Sequence, residues 1–132
     1  MLNALLLALA VQAGASDTVP PQLLREFRAL WVATVSNIDW PSRPGLSTAE
    51  QQQELLAILD RASALRMNAI VFQVRPEADA MFESRYEPWS RFLTGAQGKR
   101  PSPAWDPLAF AVAESHKRGL ELHAWFNPYR AA

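Results

Sequence analysis

Residues 68–75, NAIVFQVR, constrain the fold more than any other stretch, because their centre is apolar at almost every position. The run is one strand long, and strands that are covered on both faces have this continuous apolar pattern. Such strands belong to parallel sheets, whose connections cross over through helices. The sequence therefore predicts an α/β fold in which helices precede and follow this central strand.

The elements predicted before the central strand are a first strand at residues 28–34 and a first helix. A loop with two prolines and a glycine, residues 36–45, separates them. Ser47 and Glu50 have the spacing of a capping box, which predicts the start of the helix, and its apolar pattern runs to about Arg66. We expect Trp31, in the first strand, to lie in the core.

A long loop, residues 76–105, is predicted after the central strand, and it carries too many aromatic and charged residues for a plain connector. Asp106 is predicted to cap a second helix with Pro107 at its first position, and Gly119 to end it. The third strand then starts at Leu120 and alternates between two faces. Its apolar face comprises Leu122, Ala124 and Phe126, and its other face comprises Glu121, His123, Trp125 and Asn127.

This β-α-β-α-β order builds either a doubly wound sheet or a (β/α)₈ barrel. Both architectures bind their ligands at the carboxyl ends of the parallel strands. All three predicted strand ends carry polar or aromatic residues, which predicts a substrate-binding site there. The candidate substrate-binding residues are Asp39, Trp40, Gln73, Arg75, Asp79, His123, Trp125, Asn127, Tyr129 and Arg130.

Composition argues against several other classes of function. The formal net charge is zero, so there is no electrostatic reason to expect a nucleic acid partner, and the absence of cysteine excludes disulfides and thiolate metal sites. A dinucleotide site needs several glycines after the first strand, where this chain has only Gly45. His116 and His123 are too few to predict a metal site. We therefore expect neither a metal nor a cofactor.

The residues at the strand ends suit a carbohydrate ligand, because aromatic rings cover the C–H faces of sugars while hydroxyls need both donors and acceptors. Each residue also has a structural interpretation. Trp89 is either packed in the loop or a ligand platform. For Asp39, Arg75 and Asp79 an ion-pair network is left open beside substrate contact, and His123 is either a barrel-interior residue or part of the site.

Three stretches resemble the opening of the glycosyl-hydrolase-like family 10 domain. They are FRALWVATVSNIDWPS, NAIVFQVRPEADAMFESRYEPWSRFLTGAQG and DPLAFAVAESHKRGLELHAWFNPYR, which together extend over most of residues 26–130. The resemblance implies a (β/α)₈ barrel in a bacterial envelope protein. It also implies a glycosidase-type hydrolase whose substrate is an envelope glycan such as peptidoglycan.

A complete (β/α)₈ barrel needs about 250 residues. We therefore expect this chain to be the N-terminal β-α-β-α-β portion of a TIM barrel, truncated after the third strand. In barrels that resemble it the proton donor follows the fourth strand, so no catalytic residue is assigned here and the segment alone should be inactive. The acids at the strand ends are interpreted as positioning groups, and they are Asp39, Glu77, Asp79 and Glu121.

Two other interpretations stay open from the sequence. The first is a non-catalytic carbohydrate-binding or scaffold protein on a degenerate barrel. The second is a doubly wound sheet that binds a small anionic ligand through Arg75 and Arg130. The barrel enzyme and the barrel scaffold share a glycan partner, either a polysaccharide or a peptidoglycan-type strand, and differ in whether a carboxylate follows the fourth strand.

The amino terminus predicts export. Residues 2–11 are apolar but too short to span a bilayer, and the small residues Ala13, Gly14 and Ala15 follow. We expect a signal peptide at 1–15, a linker at 16–25 and the barrel portion at 26–132. The mature chain would then have no transmembrane segment, and the protein would be secreted, periplasmic or attached to the cell envelope.

Overall fold

The computed structural model describes residues 26–131, so the predicted signal peptide and linker lie outside the described residues. Within this range no helix is both long enough and apolar enough to cross a membrane. The β-α-β-α-β order is confirmed. The elements are β1 (Ala29–Val32), a 3₁₀ turn (Val35–Asn37), α1 (Thr48–Ala64), β2 (Ala69–Arg75), a short α2 (Arg91–Thr94), α3 (Pro107–Lys117) and β3 (Glu121–Phe126).

The three strands form one parallel sheet in the order β1-β2-β3, with the apolar β2 in the centre. The register places Val71 of β2 between Trp31 of β1 and His123 of β3. Gln73 pairs with Trp125 one step further along the same face. Since the strands are parallel neighbours, their carboxyl ends meet at one edge of the sheet.

Both long helices lie against the same face of this sheet. Leu55 and Leu59 of α1 share a buried core with Ile70 and Phe72 of β2, and Ala111 of α3 belongs to that core. The helices also contact each other directly. The described part of the chain therefore has one helix-covered face and one face without a long helix, whereas a doubly wound sheet has helices on both. Closure into a (β/α)₈ barrel stays a prediction.

The helix ends form as the sequence predicts. Ser47 and Glu50 make a reciprocal capping box at α1, with Ser47 N 2.8 Å from Glu50 Oε2 and Glu50 N 3.3 Å from Ser47 Oγ. Hydrogen bonds from the Ser47 side chain and backbone lower the pKa of Glu50. At α3, Asp106 Oδ1 accepts from Ala109 N at 2.9 Å. Gly119 follows that helix at φ 68°, a left-handed conformation that glycine adopts readily.

Within the described residues Trp31 does not lie in the core, contrary to the prediction. Trp31 is 60% exposed, because its side chain is on the sheet face that the long helices do not cover. Its indole packs edge-on against Trp125, with ring centroids 5.1 Å apart. Trp40, which follows the turn after β1, is fully buried instead.

Candidate functional site

The carboxyl ends of the strands carry three segments that lie side by side, residues 33–40, 76–90 and 127–131. We call the surface they form the strand-end edge. The candidate residues fall into distinct environments along it. Some are buried or bonded to a neighbouring segment, some are open to solvent, and two lie further down on the sheet face.

Gln73 joins the end of β2 to the end of β1. Its Oε1 accepts from the backbone N–H groups of Thr34 and Val35, both at 2.8 Å, and Thr34 Oγ1 donates to the Gln73 carbonyl at 3.0 Å. The two backbone N–H groups can donate only to an oxygen, so they fix which way the side-chain amide of Gln73 points. Gln73 is fully buried, and its Nε2 has no hydrogen-bond partner within residues 26–131. Its geometry shapes the turn that begins the first loop.

Arg75 and Asn127 cross-link the ends of β2 and β3. Arg75 Nη1 donates to the Asn127 carbonyl at 2.6 Å, and Asn127 Nδ2 donates to the Pro76 carbonyl at 2.8 Å. The Arg75 guanidinium also pairs with Glu87, which attaches the long loop to the same point. The ion pair that the sequence left open for Arg75 is therefore present, and substrate contact by Arg75 stays a prediction.

Glu77 lies next along the edge, between two arginines. Its side chain is 9% exposed; Oε2 is 3.2 Å from Arg91 Nη2, and Oε1 is 3.8 Å from Arg130 Nε. Asp79, almost fully buried, accepts from Glu77 N through Oδ1 at 2.9 Å. Sequence reasoning did not place Arg91 here, since α2 was not predicted and no spacing rule links residues 14 positions apart.

Asp39 and Trp40 take different positions after β1. Asp39 is exposed, and its Oδ2 accepts from Ala33 N at 2.7 Å, which closes the first loop. Trp40 lies inside, where its Nε1 donates to the Gln51 carbonyl at 2.9 Å and its ring centroid is 5.5 Å from that of Phe72. The structure thus places Trp40 between α1 and the sheet, away from the open surface of the edge.

His123 and Trp125 belong to the uncovered sheet face. His123 lies in the middle of β3 with Nε2 3.1 Å from Glu121 Oε2, and its ring is 5.2 Å from that of Phe27. Trp125 packs against Trp31 as described above. These residues form an aromatic patch beside the strand-end edge, consistent with the barrel-interior interpretation of His123.

The open part of the edge consists of residues after β3 and in the long loop. Tyr129 is 99% exposed, and the Arg130 side chain is 54% exposed. Tyr86 is 87% exposed and was not predicted as a site residue. It directly precedes Glu87, whose ion pair with Arg75 holds the long loop at the edge. Within residues 26–131 no group of three histidine, cysteine or acidic side chains is arranged to hold a metal.

These groups suit binding better than bond cleavage. Each acid at the edge is already engaged: Asp39 and Asp79 accept backbone hydrogen bonds, and Glu77 is paired with arginine. The open surface offers guanidinium donors and phenol rings, which match sugar hydroxyls and sugar C–H faces.

Known proteins similar to this chain share one description. A family model described as "Glycosyl hydrolase-like 10" matches residues 26–131. Glycosyl hydrolase YngK of Bacillus subtilis (strain 168) is 58% identical over 106 residues, which are 80% of this chain and 20% of the relative. Glycosyl hydrolase DigH of Escherichia coli (strain K12) is 36% identical over 153 aligned residues, 98% of this chain and 34% of the relative. The chain spans between a fifth and a third of the length of these relatives.

Proposed function

The chain belongs to the glycosyl hydrolase-like 10 family, and from that premise we propose that it is part of an exported glycosidase whose substrate is a peptidoglycan-type glycan of the cell envelope. In this proposal residues 26–131 supply part of the wall of a (β/α)₈ barrel and one side of its substrate rim. The catalytic carboxylates come from outside these residues. The names of both relatives, which describe glycosyl hydrolases, support the reaction class.

The observation that carries the proposal is the construction of the strand-end edge. Side chains tie the end of β2 and the loop that follows it to the residues after β3, through Arg75 with Asn127 and through Glu77 with Arg130. Barrel enzymes bind substrate at this end of their strands. A cross-linked edge that leaves Tyr129 and Arg130 open to solvent supports the proposal, because a preorganised surface loses less entropy on binding.

The role of this edge in hydrolysis would be to hold the sugar chain. Glycosidases cleave with two carboxyl groups that flank the scissile bond. The acids described here are occupied by hydrogen bonds or arginines, so we assign them to support rather than to proton transfer. Arg130 approaches Glu77 through Nε, and about half of its side chain is open to solvent, so its guanidinium can donate to hydroxyl or ring oxygens of a ligand.

The test uses the full-length protein with purified peptidoglycan sacculi and measures the release of reducing ends. Arg130→Ala should lower the rate at limiting substrate about ten- to a hundredfold, since the loss of a charge-assisted hydrogen bond costs about 1.5–3 kcal/mol. The Tm should stay almost unchanged, because the side chain is half exposed. Arg100→Ala is the matched control, because Arg100 also pairs with a glutamate, Glu83, in the long loop. Parental activity in Arg130→Ala would contradict the proposal.

A second candidate, a non-catalytic glycan-binding protein on the same fold, is favoured by one observation: the acids of the edge are all engaged as hydrogen-bond acceptors or ion-pair partners. The same sacculi distinguish the two. Retention of the full-length protein on sacculi with no release of reducing ends would favour the binding protein, whereas release would favour the glycosidase.

A further inference from the structure

We propose that Glu77 is a positioning residue that holds the guanidinium of Arg130 at the substrate edge. The proposal rests on the function proposed above, in which Arg130 contacts the glycan. It adds a residue that the sequence grouped only with other acids, and it assigns that residue one task. Glu77 itself is too buried to reach a ligand on the open side of the edge.

The contrast in exposure among the three side chains carries the first step. The Glu77 side chain is 9% exposed, whereas those of Arg91 and Arg130 are 50% and 54% exposed. A buried carboxylate is unfavourable unless cations and hydrogen bonds compensate for its lost hydration. The two arginines therefore compensate the buried Glu77 carboxylate while about half of each arginine side chain stays open to solvent.

The distances show that the two arginines have different roles. Arg91 Nη2 lies 3.2 Å from Oε2 and 3.5 Å from Oε1, so it is the principal partner of the carboxylate. Arg130 Nε lies 3.8 Å from Oε1, within ion-pair range but outside hydrogen-bond range. Arg130 is thus held by electrostatic attraction, and its own donors are not consumed by the pair.

Glu77 can act as a support because the peptide group that precedes it is held at both its carbonyl and its N–H. Asp79 Oδ1 accepts from Glu77 N at 2.9 Å, and the preceding carbonyl, that of Pro76, accepts from Asn127 Nδ2 at 2.8 Å. Asn127 is three residues before Arg130 in the chain. The acid and the arginine that it holds are therefore attached to one rigid junction between β2 and β3.

Removing the charge of Glu77 would affect binding through Arg130. Without the carboxylate, the guanidiniums of Arg91 and Arg130 repel each other, because like charges this close disfavour a shared site. Arg130 would then sample many rotamers, and a ligand would have to order the side chain on binding. The expected signature is a higher KM with a nearly unchanged kcat, since the lost interaction is one of substrate binding.

The experiment is a double-mutant cycle in the full-length protein, with purified peptidoglycan sacculi as the substrate. Glu77→Gln and Arg130→Ala should each raise KM about tenfold and leave kcat within about twofold. The double variant should be no worse than Arg130→Ala alone, because Glu77 acts through Arg130. Glu114→Gln is the matched control, since it removes a largely buried acid that pairs with an arginine, Arg118, outside the strand-end edge, and its KM should equal that of the parent.

The outcomes separate this proposal from the one on which it rests. An unchanged KM in Arg130→Ala overturns the substrate edge and the positioning role together. A raised KM in Arg130→Ala supports the substrate edge. The positioning role then fails if Glu77→Gln has the parental KM, or if the effects of the two substitutions on KM multiply in the double variant. Glu77→Asp, which keeps the charge on a shorter side chain, guards against loss of folding. The KM of Glu77→Asp should lie between that of the parent and that of Glu77→Gln. A KM equal to that of Glu77→Gln would count against the ion pair.

Discussion

The ends of β2 and β3 lie at the same edge of the sheet but differ in how their side chains are used. At the end of β2 and just beyond it, Gln73, Glu77 and Asp79 are buried and hydrogen-bonded. After β3, Tyr129 and Arg130 are largely open to solvent. Within the described residues β2 has a strand on each side, whereas β3 has one neighbour, and this accounts for the difference in burial between the two ends. The β2 end is therefore the supporting part of the edge, and the β3 end is the part that we propose contacts the ligand.

The largest effect should come from Gln73, which would test the support side of the comparison. Gln73→Leu leaves the N–H groups of Thr34 and Val35 without their acceptor, and each buried unpaired donor costs about 1–3 kcal/mol. We expect the free energy of unfolding of the full-length protein to fall by roughly 3 kcal/mol in urea titrations. Gln53→Leu, the same change on the exposed side of α1, is the control. Equal stability of the two variants would refute a structural role for the β2 end.

The features of the fold that the sequence predicts correctly are those that depend on residues close together in the chain. The capping box at Ser47, the cap at Asp106 and the stop at Gly119 depend on residues within a few positions, and all three occur in the structure. The apolar run of β2 likewise predicted a buried central strand, and the strand is buried along nearly all of its length.

Burial at the strand ends could not be predicted in the same way. Trp31 lies in β1 and Trp40 lies shortly after it in the sequence, yet Trp31 is 60% exposed and Trp40 is fully buried. What separates them is which face of the sheet α1 and α3 cover, and that is a long-range property. The pairing of Glu77 with Arg91 depends on α2, a four-residue helix too short to produce a periodic signal.

Arg75 should give an intermediate effect, because it belongs to the support but reaches the edge. Arg75→Ala removes the ion pair with Glu87 and the hydrogen bond to the Asn127 carbonyl, in a side chain that is only 19% exposed. We expect a loss of about 1–2 kcal/mol in unfolding free energy together with weaker glycan binding. Arg130→Ala should weaken binding alone. If Arg75→Ala left the urea midpoint of the full-length protein unchanged, the distinction between the two strand ends would not hold.

Tyr129 should affect binding and hardly change stability. Tyr129 is 99% exposed among the described residues, so Tyr129→Ala removes almost no packing within them, and we expect less than about 0.5 kcal/mol of change in unfolding free energy. If the ring stacks on a sugar, the affinity for sacculi in a pelleting assay should fall several-fold, and Tyr129→Phe should keep most of it because the ring remains. A large drop in Tm for Tyr129→Ala would place this residue with the support instead.

The smallest effect concerns Glu114, at the opposite end of the sheet. It measures how acidic pH changes the stability of the fold away from the strand-end edge. Hydrogen bonds from Lys117 and then Arg118 lower the pKa of Glu114, near the end of α3, below its ordinary value of 4.5. A carboxyl group whose pKa is lower in the folded state stabilises the fold above about pH 4.5, and this contribution is lost as the pH falls through the lowered pKa.

Glu114→Gln removes that contribution, so the unfolding free energy of the variant should fall less steeply than that of the parent between pH 5 and pH 3, as urea titrations at each pH would show. Above about pH 5 the variant should be slightly the less stable of the two, because the ion pairs with Lys117 and Arg118 are absent. Glycan binding at neutral pH should be unchanged, since these residues lie near the start of β3 and not at its carboxyl end. Parallel pH profiles for parent and variant would show that the acid sensitivity arises elsewhere, and the acids of the strand-end edge would then be the next groups to test.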